Sequence, residues 1–318
     1  MKLLFVADPL HTFKTYKDST FAMMREAARR GHELWACEAP SLRWQQGQKV
    51  SARALHIELT GDEHDWWRTV DDTTVTLHSF DAVIMRKDPP FDTEYLYATH
   101  LLSQAEREGA RVFNRPQALR EHPEKLAILE FPQFITPTLV SSDMDAIKAF
   151  HEKHRDVILK PLDGMGGMGI FRVRDDALNL GSIVETLTEN GRQTIMVQRY
   201  LSAIVQGDKR VLLIDGEAVP FALARIPQGG EVRGNLAAGG LGVAQPLSDQ
   251  DRAIAQALGP TLAARGLLLV GLDIIGEHLT EINVTSPTCF QEITQQTGFD
   301  VAARFVDALE RLASSAAP

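Results

Sequence analysis

Residues 157–173, VILKPLDGMGGMGIFRV, constrain this chain more than any other stretch. Both flanks are short, apolar and rich in β-branched or aromatic residues, which predicts strand, loop, strand. Between them lie Lys160 and a loop carrying Gly164, Gly166, Gly167 and Gly169. Without side chains at those positions, backbone N–H groups can approach a polyphosphate in conformations where a Cβ would clash. Gly164, Gly166 and Gly169 have the spacing of a dinucleotide fingerprint, and Glu185 lies near the offset of a ribose acceptor. That fingerprint must open a helix, whereas residues 170–173 read as a strand. A phosphate-binding P-loop requires Gly-Lys, and the chain has no such pair. A glycine-rich flap closing over nucleotide phosphates fits best. A turn that binds nothing is the remaining reading.

The rest of the chain narrows the class. Its 318 residues suffice for two or three domains. The net charge of −9, with no basic run, argues against nucleic acid and anionic membranes as partners. Cys37 and Cys289 are the only cysteines, with no CxxC or HExxH, so neither a disulfide framework nor a structural zinc site is expected. The N-terminal apolar run ends at Asp8 and reads as a strand rather than a signal peptide. The apolar stretch at 267–275 is interrupted by Asp273 and is too short to span a bilayer.

The first third alternates strand and helix patterns. Strands are expected at 2–7, 34–37, 82–85 and 112–113, with short ones at 55–59 and 74–77; helices are expected at 18–30 and 92–108. This is a βα pattern with a mainly parallel sheet, whose ligands sit beyond the carboxyl ends of the strands. Arg86 follows the strand at 82–85 and is either an anion binder or half of a surface ion pair. A boundary falls at 114–123, where Pro116 and Pro123 flank a short helix. Beyond it come helices at 144–154, 182–189, 250–265 and 299–312, and strands at 195–198, 268–274 and 279–284. A hairpin of 210–214 and 218–225 turns at Asp215-Gly216. Residues 226–242 form a glycine-rich loop with almost no large apolar side chain, which predicts a mobile lid around Arg233.

Two late strands carry isolated polar groups. Period two puts Glu281 and Asn283 on one face, and Asp273 interrupts the neighbouring strand. Two carboxylates and an amide oxygen make a hard oxygen site for magnesium. The competing picture has Asp273 in a turn and the Glu/Asn face solvated.

Taken in order, Lys125, Lys160 with its flap, Gln198 to Leu201, then Asp273, Glu281 and Asn283 resemble the ATP-grasp ligases. The resemblance extends to the bacterial glutathione synthetase family through MRKDPPFDTE (85–94), ILKPLDGMGG (158–167), GDKRV (207–211), ARIPQGGEVRGNLAAGG (224–240) and TEINVTSPTC (280–289). Met168 and Leu241 depart from the family pattern. The resemblance implies an α/β fold, α+β in its C-terminal part. An N-terminal parallel-sheet domain at 1–122 would precede an ATP-grasp domain at 123–318, divided into a central lid subdomain at about 125–200 and a catalytic subdomain at about 201–318. It implies ATP-dependent ligation of glycine to γ-glutamylcysteine through an acyl phosphate. Lys125, Lys160, Gly164, Gly166 and Gly167 would hold phosphates, Gln198, Arg199, Tyr200 and Leu201 the adenine through backbone groups, and Asp208 the ribose or a nearby amide. Asp273, Glu281 and Asn283 would bind magnesium, or manganese in its place. Arg210, Arg225 and Arg233 would be catalytic. Arg86, Arg210, Arg225, Asn283, Ser286 and Thr288 would bind the peptide substrate. Cys289 receives no role, since the mechanism needs no thiol. A cytoplasmic homotetramer is the family expectation. A different ATP-grasp ligase and a nucleotide-binding regulatory module without turnover are the alternatives, with a dehydrogenase behind them.

Overall fold

The computed structural model describes residues 1–62, 64–231 and 233–314. In chain order β1 (Lys2–Val6), α1 (Ser19–Arg29), β2 (Glu33–Cys37), β3 (Ser51–Leu59), β4 (Trp67–Thr76), β5 (Ala82–Met85), α2 (Thr93–Arg107), β6 (Val112–Phe113) and α3 (Pro116–Glu121) build the first unit. Its sheet has the order β4-β3-β2-β1-β5-β6. The four strands from β2 to β6 are parallel, as the βα pattern predicts, while β3 and β4 add an antiparallel arm. Asp18 and Asp92 start the two main helices, accepting from Phe21 N at 2.7 Å and Tyr95 N at 2.8 Å. The arm is longer than the two short strands expected at 55–59 and 74–77. β4 lies at the sheet edge with both faces largely exposed, so no apolar alternation marks it.

A second unit comprises β7 (Thr138–Ser141), α4 (Met144–His154), β8 (Val157–Pro161), β9 (Phe171–Val173), α5 (Leu180–Leu187) and β10 (Ile195–Arg199). They form an antiparallel sheet, β7-β10-β8-β9, over its own small core of Ile147, Val157, Leu159, Val184, Ile195 and Val197. β8 and β9 pair directly, so the glycine loop joins two strands and opens no helix, which removes the dinucleotide-fingerprint reading. β7 was not expected; its four half-buried residues, TLVS, are too few to show a period.

The third unit holds β11 (Asp208–Ile214), β12 (Glu217–Ile226), β13 (Leu241–Pro246), α6 (Asp249–Ala264), β14 (Leu269–Ile275), β15 (His278–Asn283), α7 (Phe290–Thr297) and α8 (Val301–Ser314). The sheet is antiparallel, β13-β12-β11-β14-β15. Its β11–β12 turn has Asp215 and Gly216 at φ 51° and 79°, the left-handed pair that a tight hairpin needs. One apolar core joins Val211, Leu213 and Leu272 to Leu4 and Val6 of the first unit, and another joins Leu212 and Ile214 to Phe5, Phe290 and Phe305. The first and third units therefore share their interior. β13 takes the last two residues of the loop expected at 226–242, and a 3₁₀ turn, Leu236–Ala238, interrupts it. Among the described residues no helix is long and apolar enough to cross a membrane.

Candidate active site

One face of the β11–β15 sheet turns polar at its end. Asp208 pairs with Arg225, Arg210 with Asp273, and Asp273 with Glu281, each directly across neighbouring strands. Opposed residues and residues two apart share a face, so Asp208, Arg210, Arg225, Asp273, Glu281 and Asn283 stand together. On the β7–β10 sheet the same rule groups Ile158, Lys160, Gln198 and Thr138. The two faces bound a cavity of about 330 Å³, roofed by the glycine flap and by residues 233–237.

The polar row is an alternating chain of charges. Asp273 Oδ1 accepts from Arg210 Nε at 2.6 Å, and its Oδ2 pairs with an Arg225 guanidinium nitrogen at 2.8 Å. Arg225 also bonds Asp208. Gly271 makes this possible, because a Cβ there would lie 2.8 Å from Arg210 Cδ. Burial alone would raise the Asp273 pKa, but Arg210 and Arg225 outweigh it and hold the carboxyl well below the usual carboxylate range. Asp208 is pushed upward by burial, with Arg225 opposing and Asp273 adding to the rise. Its Oδ1 is buried without a partner among the described residues.

Lysines come from opposite sides. Lys125 Nζ donates to the Gly164 carbonyl at 2.6 Å and pairs with Glu281 Oε1 at 3.1 Å, tying flap to sheet. Lys160 Nζ donates to the Thr280 carbonyl at 3.3 Å; burial lowers its pKa, with Glu281 opposing. Asn283 Nδ2 donates to the Gly271 carbonyl at 3.2 Å, and its Oδ1 has no partner among the described residues. The Glu281 carboxylate and the Asn283 oxygen suit a hard cation that keeps most of its shell as water. Asp273 could join them through the second lone pair of an oxygen that already accepts from arginine.

The two parts of the roof touch each other. A guanidinium nitrogen of Arg233 approaches the Gly167 carbonyl at 3.4 Å, and its Nε pairs with Glu231 at 2.8 Å. Gly166, Gly167 and Gly169 have φ of 61°, 83° and 71°, the left-handed region that explains their residue type. Residue 232 of the loop lies outside the described residues.

Most residues singled out from the sequence line this one cavity, from Lys125 and the flap glycines through Gln198, Arg199, Tyr200 and Leu201 to Ser286 and Thr288. Two do not. Asp273 sits behind, between its two arginines. Arg86 is 4% exposed, and its guanidinium is engaged by the Thr20 hydroxyl and the Pro287 carbonyl, both at 3.0 Å, so it props up the 286–288 loop from beneath. Sequence reasoning missed Glu124 and Thr136. The Glu124 Oε1 accepts from Val284 N, Thr285 N and the Thr285 hydroxyl at 3.0, 3.1 and 2.8 Å, clamping the end of β15. Burial, then Glu281, raise its pKa. Its position beside Lys125 was the available signal; Thr136 had none.

Prokaryotic glutathione synthetase models match this chain over residues 1–120 for the N-terminal domain and 124–298 for the ATP-grasp domain. A glutathione synthetase of Ralstonia nicotianae is 62% identical over 316 residues, covering 99% of this chain and 97% of that one. One from Neisseria meningitidis serogroup B is 58% identical over 313 residues, covering 97% and 98%. Among solved structures, D-cycloserine synthetase DcsG superposes with a TM-score of 0.67 at 17% identity over 98% of this chain and all of that one. The ATP-grasp ligase PsnB, complexed with minimal precursor, Mg and ADP, gives 0.62 at 18% over 99% and 98%. At such identity these two speak for the ATP-grasp fold alone.

Proposed function

Because the chain belongs to the prokaryotic glutathione synthetase family and carries out ATP-dependent glutathione synthesis, we propose that the cavity between its two antiparallel sheets is where the peptide bond forms. A carboxylate is a poor electrophile, so one oxygen must first become a leaving group. The γ-phosphoryl group of ATP passes to the cysteinyl carboxylate of γ-glutamylcysteine. The amine of glycine then attacks the acyl phosphate, and phosphate leaves with the carbon–oxygen bond that breaks. Such transfer needs positioning and charge neutralisation rather than a protein nucleophile.

In this reading Lys125, Lys160 and the backbone of Gly164, Gly166 and Gly167 hold phosphates. Gln198, Arg199, Tyr200 and Leu201 take the adenine, and Asp208 the ribose or a nearby amide. Arg210 and Arg225 face the transferring group and the substrate carboxylate, for which a planar fork is suited. Ser286 and Thr288, on the loop braced by Arg86, take the peptide's end. Arg233 closes over the acyl phosphate, and water is excluded while glycine attacks. Asp273, Glu281 and Asn283 would hold magnesium, or manganese in its place, whose charge would offset that of the phosphates when bound. The buried Asp208 Oδ1, without a partner among the described residues, and the Asn283 side-chain oxygen at the cavity support a site for polar ligands.

The domain division at 122/123, with subdomains at about 125–200 and 201–318, a cytoplasmic location and a homotetramer belong to the same proposal. One observation carries it: Lys160 of the β7–β10 sheet, Lys125 from the opposite side, and Arg210 and Arg225 of the β11–β15 sheet line a single roofed cavity beside a carboxylate and an amide. Phosphate release from ATP and magnesium tests it. Release should require γ-glutamylcysteine and rise with glycine, one phosphate per glutathione. Release indifferent to both would refute it.

A further inference from the structure

Gln198 stands on β10 directly opposite Thr138 of β7, the edge strand of the flap sheet. Its Nε2 lies 3.0 Å from the Thr138 hydroxyl, and that hydroxyl donates to the Thr136 carbonyl at 2.7 Å. A hydroxyl has one proton. With that proton committed to Thr136, Thr138 can only accept from Gln198, so the amide must present its NH₂ edge to Thr138. The carbonyl edge, Oε1, is then the one left for the cavity, which Gln198 lines and Thr138 does not. No partner for Oε1 exists among the described residues, while Gln198 is 5% exposed and hence confined. Amides elsewhere can turn over to suit a ligand; this one is wired as an acceptor.

We propose that Thr138 is a positioning residue that sets the enzyme's choice of purine: by fixing the Gln198 amide with Oε1 inward, it selects a base edge that donates over one that accepts. The inference rests on the assignment of the Gln198–Leu201 end to the nucleotide base. Adenine offers a 6-amino donor to Oε1. Hypoxanthine and guanine offer a 6-oxo group there, which leaves two acceptors facing each other in a confined space. Without the Thr138 hydroxyl the amide is free to rotate, and Nε2 can then meet a 6-oxo group.

The experiment measures kcat/KM for ATP and for inosine triphosphate in the full-length enzyme carrying Thr138→Val, Thr138→Ser or Thr138→Val with Gln198→Glu. Valine is isosteric and favours an edge strand, so the fold is retained. Thr138→Val should lower the preference for ATP over inosine triphosphate roughly tenfold, the worth of one confined hydrogen bond exchanged for a mismatch. The change should sit mainly in the nucleotide KM. Serine should restore the preference. The double variant should also restore it, because a carboxylate accepts at either oxygen and no longer needs orienting. A folded Thr138→Val enzyme with unchanged preference overturns the proposal, as does loss of preference in the serine variant. Lys160→Met is measured alongside. If it loses ATP affinity while Thr138→Val keeps its preference, only the role of Thr138 falls. If Lys160→Met binds ATP normally, the nucleotide assignment itself falls.

Discussion

Replacing Gly167 by alanine strikes the contact between flap and lid. Gly167 has φ +83°, and a Cβ there would lie 2.8 Å from Asn235 Oδ1 and 3.0 Å from Arg233 Cδ. The left-handed conformation disfavours alanine by about 1–2 kcal/mol. Pushing Arg233 and Asn235 aside adds further loss, because the same Arg233 reaches the Gly167 carbonyl. An open flap can relax away from positive φ, so the penalty falls on the closed state. A combined figure of about 2 kcal/mol reduces the closed population roughly 30-fold. Gly166→Ala is the control: it has φ +61°, and its Cβ would make only an ordinary 3.8 Å contact with Ala237. The two variants share the backbone penalty and differ in the clash. Glutathione formation and phosphate release, measured in parallel, should show Gly167→Ala slower than Gly166→Ala, with more ATP consumed per product. Melting temperatures should barely move, since neither residue belongs to an apolar core. Wild-type rate and coupling in Gly167→Ala would refute the closure argument. So would a rate loss that tracks a fall in melting temperature.

Lys160→Met and Lys125→Met should each weaken ATP binding with native circular dichroism, because each removes a cation from the end of the cavity proposed for the phosphates; unchanged affinity and turnover in both would dismiss the assignment. Glu281→Gln and Asn283→Ala should lower turnover roughly 100-fold, the scale of losing a preorganised electrostatic contact. Part of that loss should return at high magnesium, and a variant active at limiting magnesium would place the metal elsewhere. Cys289→Ala should keep most activity: the thiol is buried and its pKa is raised, chiefly by burial, so it is a poor nucleophile. An acyl group found on Cys289 by mass spectrometry would overturn the mechanism.

What the sequence made legible follows from where its signals were local. The flap, the Asp215-Gly216 hairpin and the helix starts at Asp18 and Asp92 each need only a few adjacent residues to specify them. So does the face shared by Glu281 and Asn283, since period two is a property of the backbone. Elements defined by their neighbours were lost. β4 is polar because it is an edge, β13 is broken by Gly242 and Pro246, and α7 begins after Cys289 in a left-handed conformation that no ordinary capping signal announces. The same division holds in the site. Lys160 and Gly167 advertised themselves, whereas Glu124 acts through three hydrogen bonds to residues 160 or more positions away. Arg86 was correctly read as lying at the end of a parallel strand; which neighbour its guanidinium would meet depended on Pro287, a contact 201 residues distant that no local pattern contains.

The charge chain along the cavity wall poses its own energetic question. Arg210, Arg225, Asp208 and Asp273 are all under 10% exposed, and an unpaired charge at such depth costs several kcal/mol. Alternation answers it, since each carboxylate lies against a guanidinium. The bonding also decides what remains on offer. Arg210 gives Nε and one terminal nitrogen to Asp273, and Arg225 gives Nε and one terminal nitrogen to Asp208, the latter nitrogen also meeting Asp273. Each guanidinium therefore keeps its second terminal nitrogen without a partner among the described residues. Under the proposed function, two such groups, fixed in orientation before any ligand arrives, would need no reorganisation as charge develops on the transferring phosphoryl group. Asp273 fixes them whether or not it also touches a metal. Asp273→Asn should thus impair the reaction more than excess magnesium can repair, and full recovery at high magnesium would reduce Asp273 to a metal ligand alone.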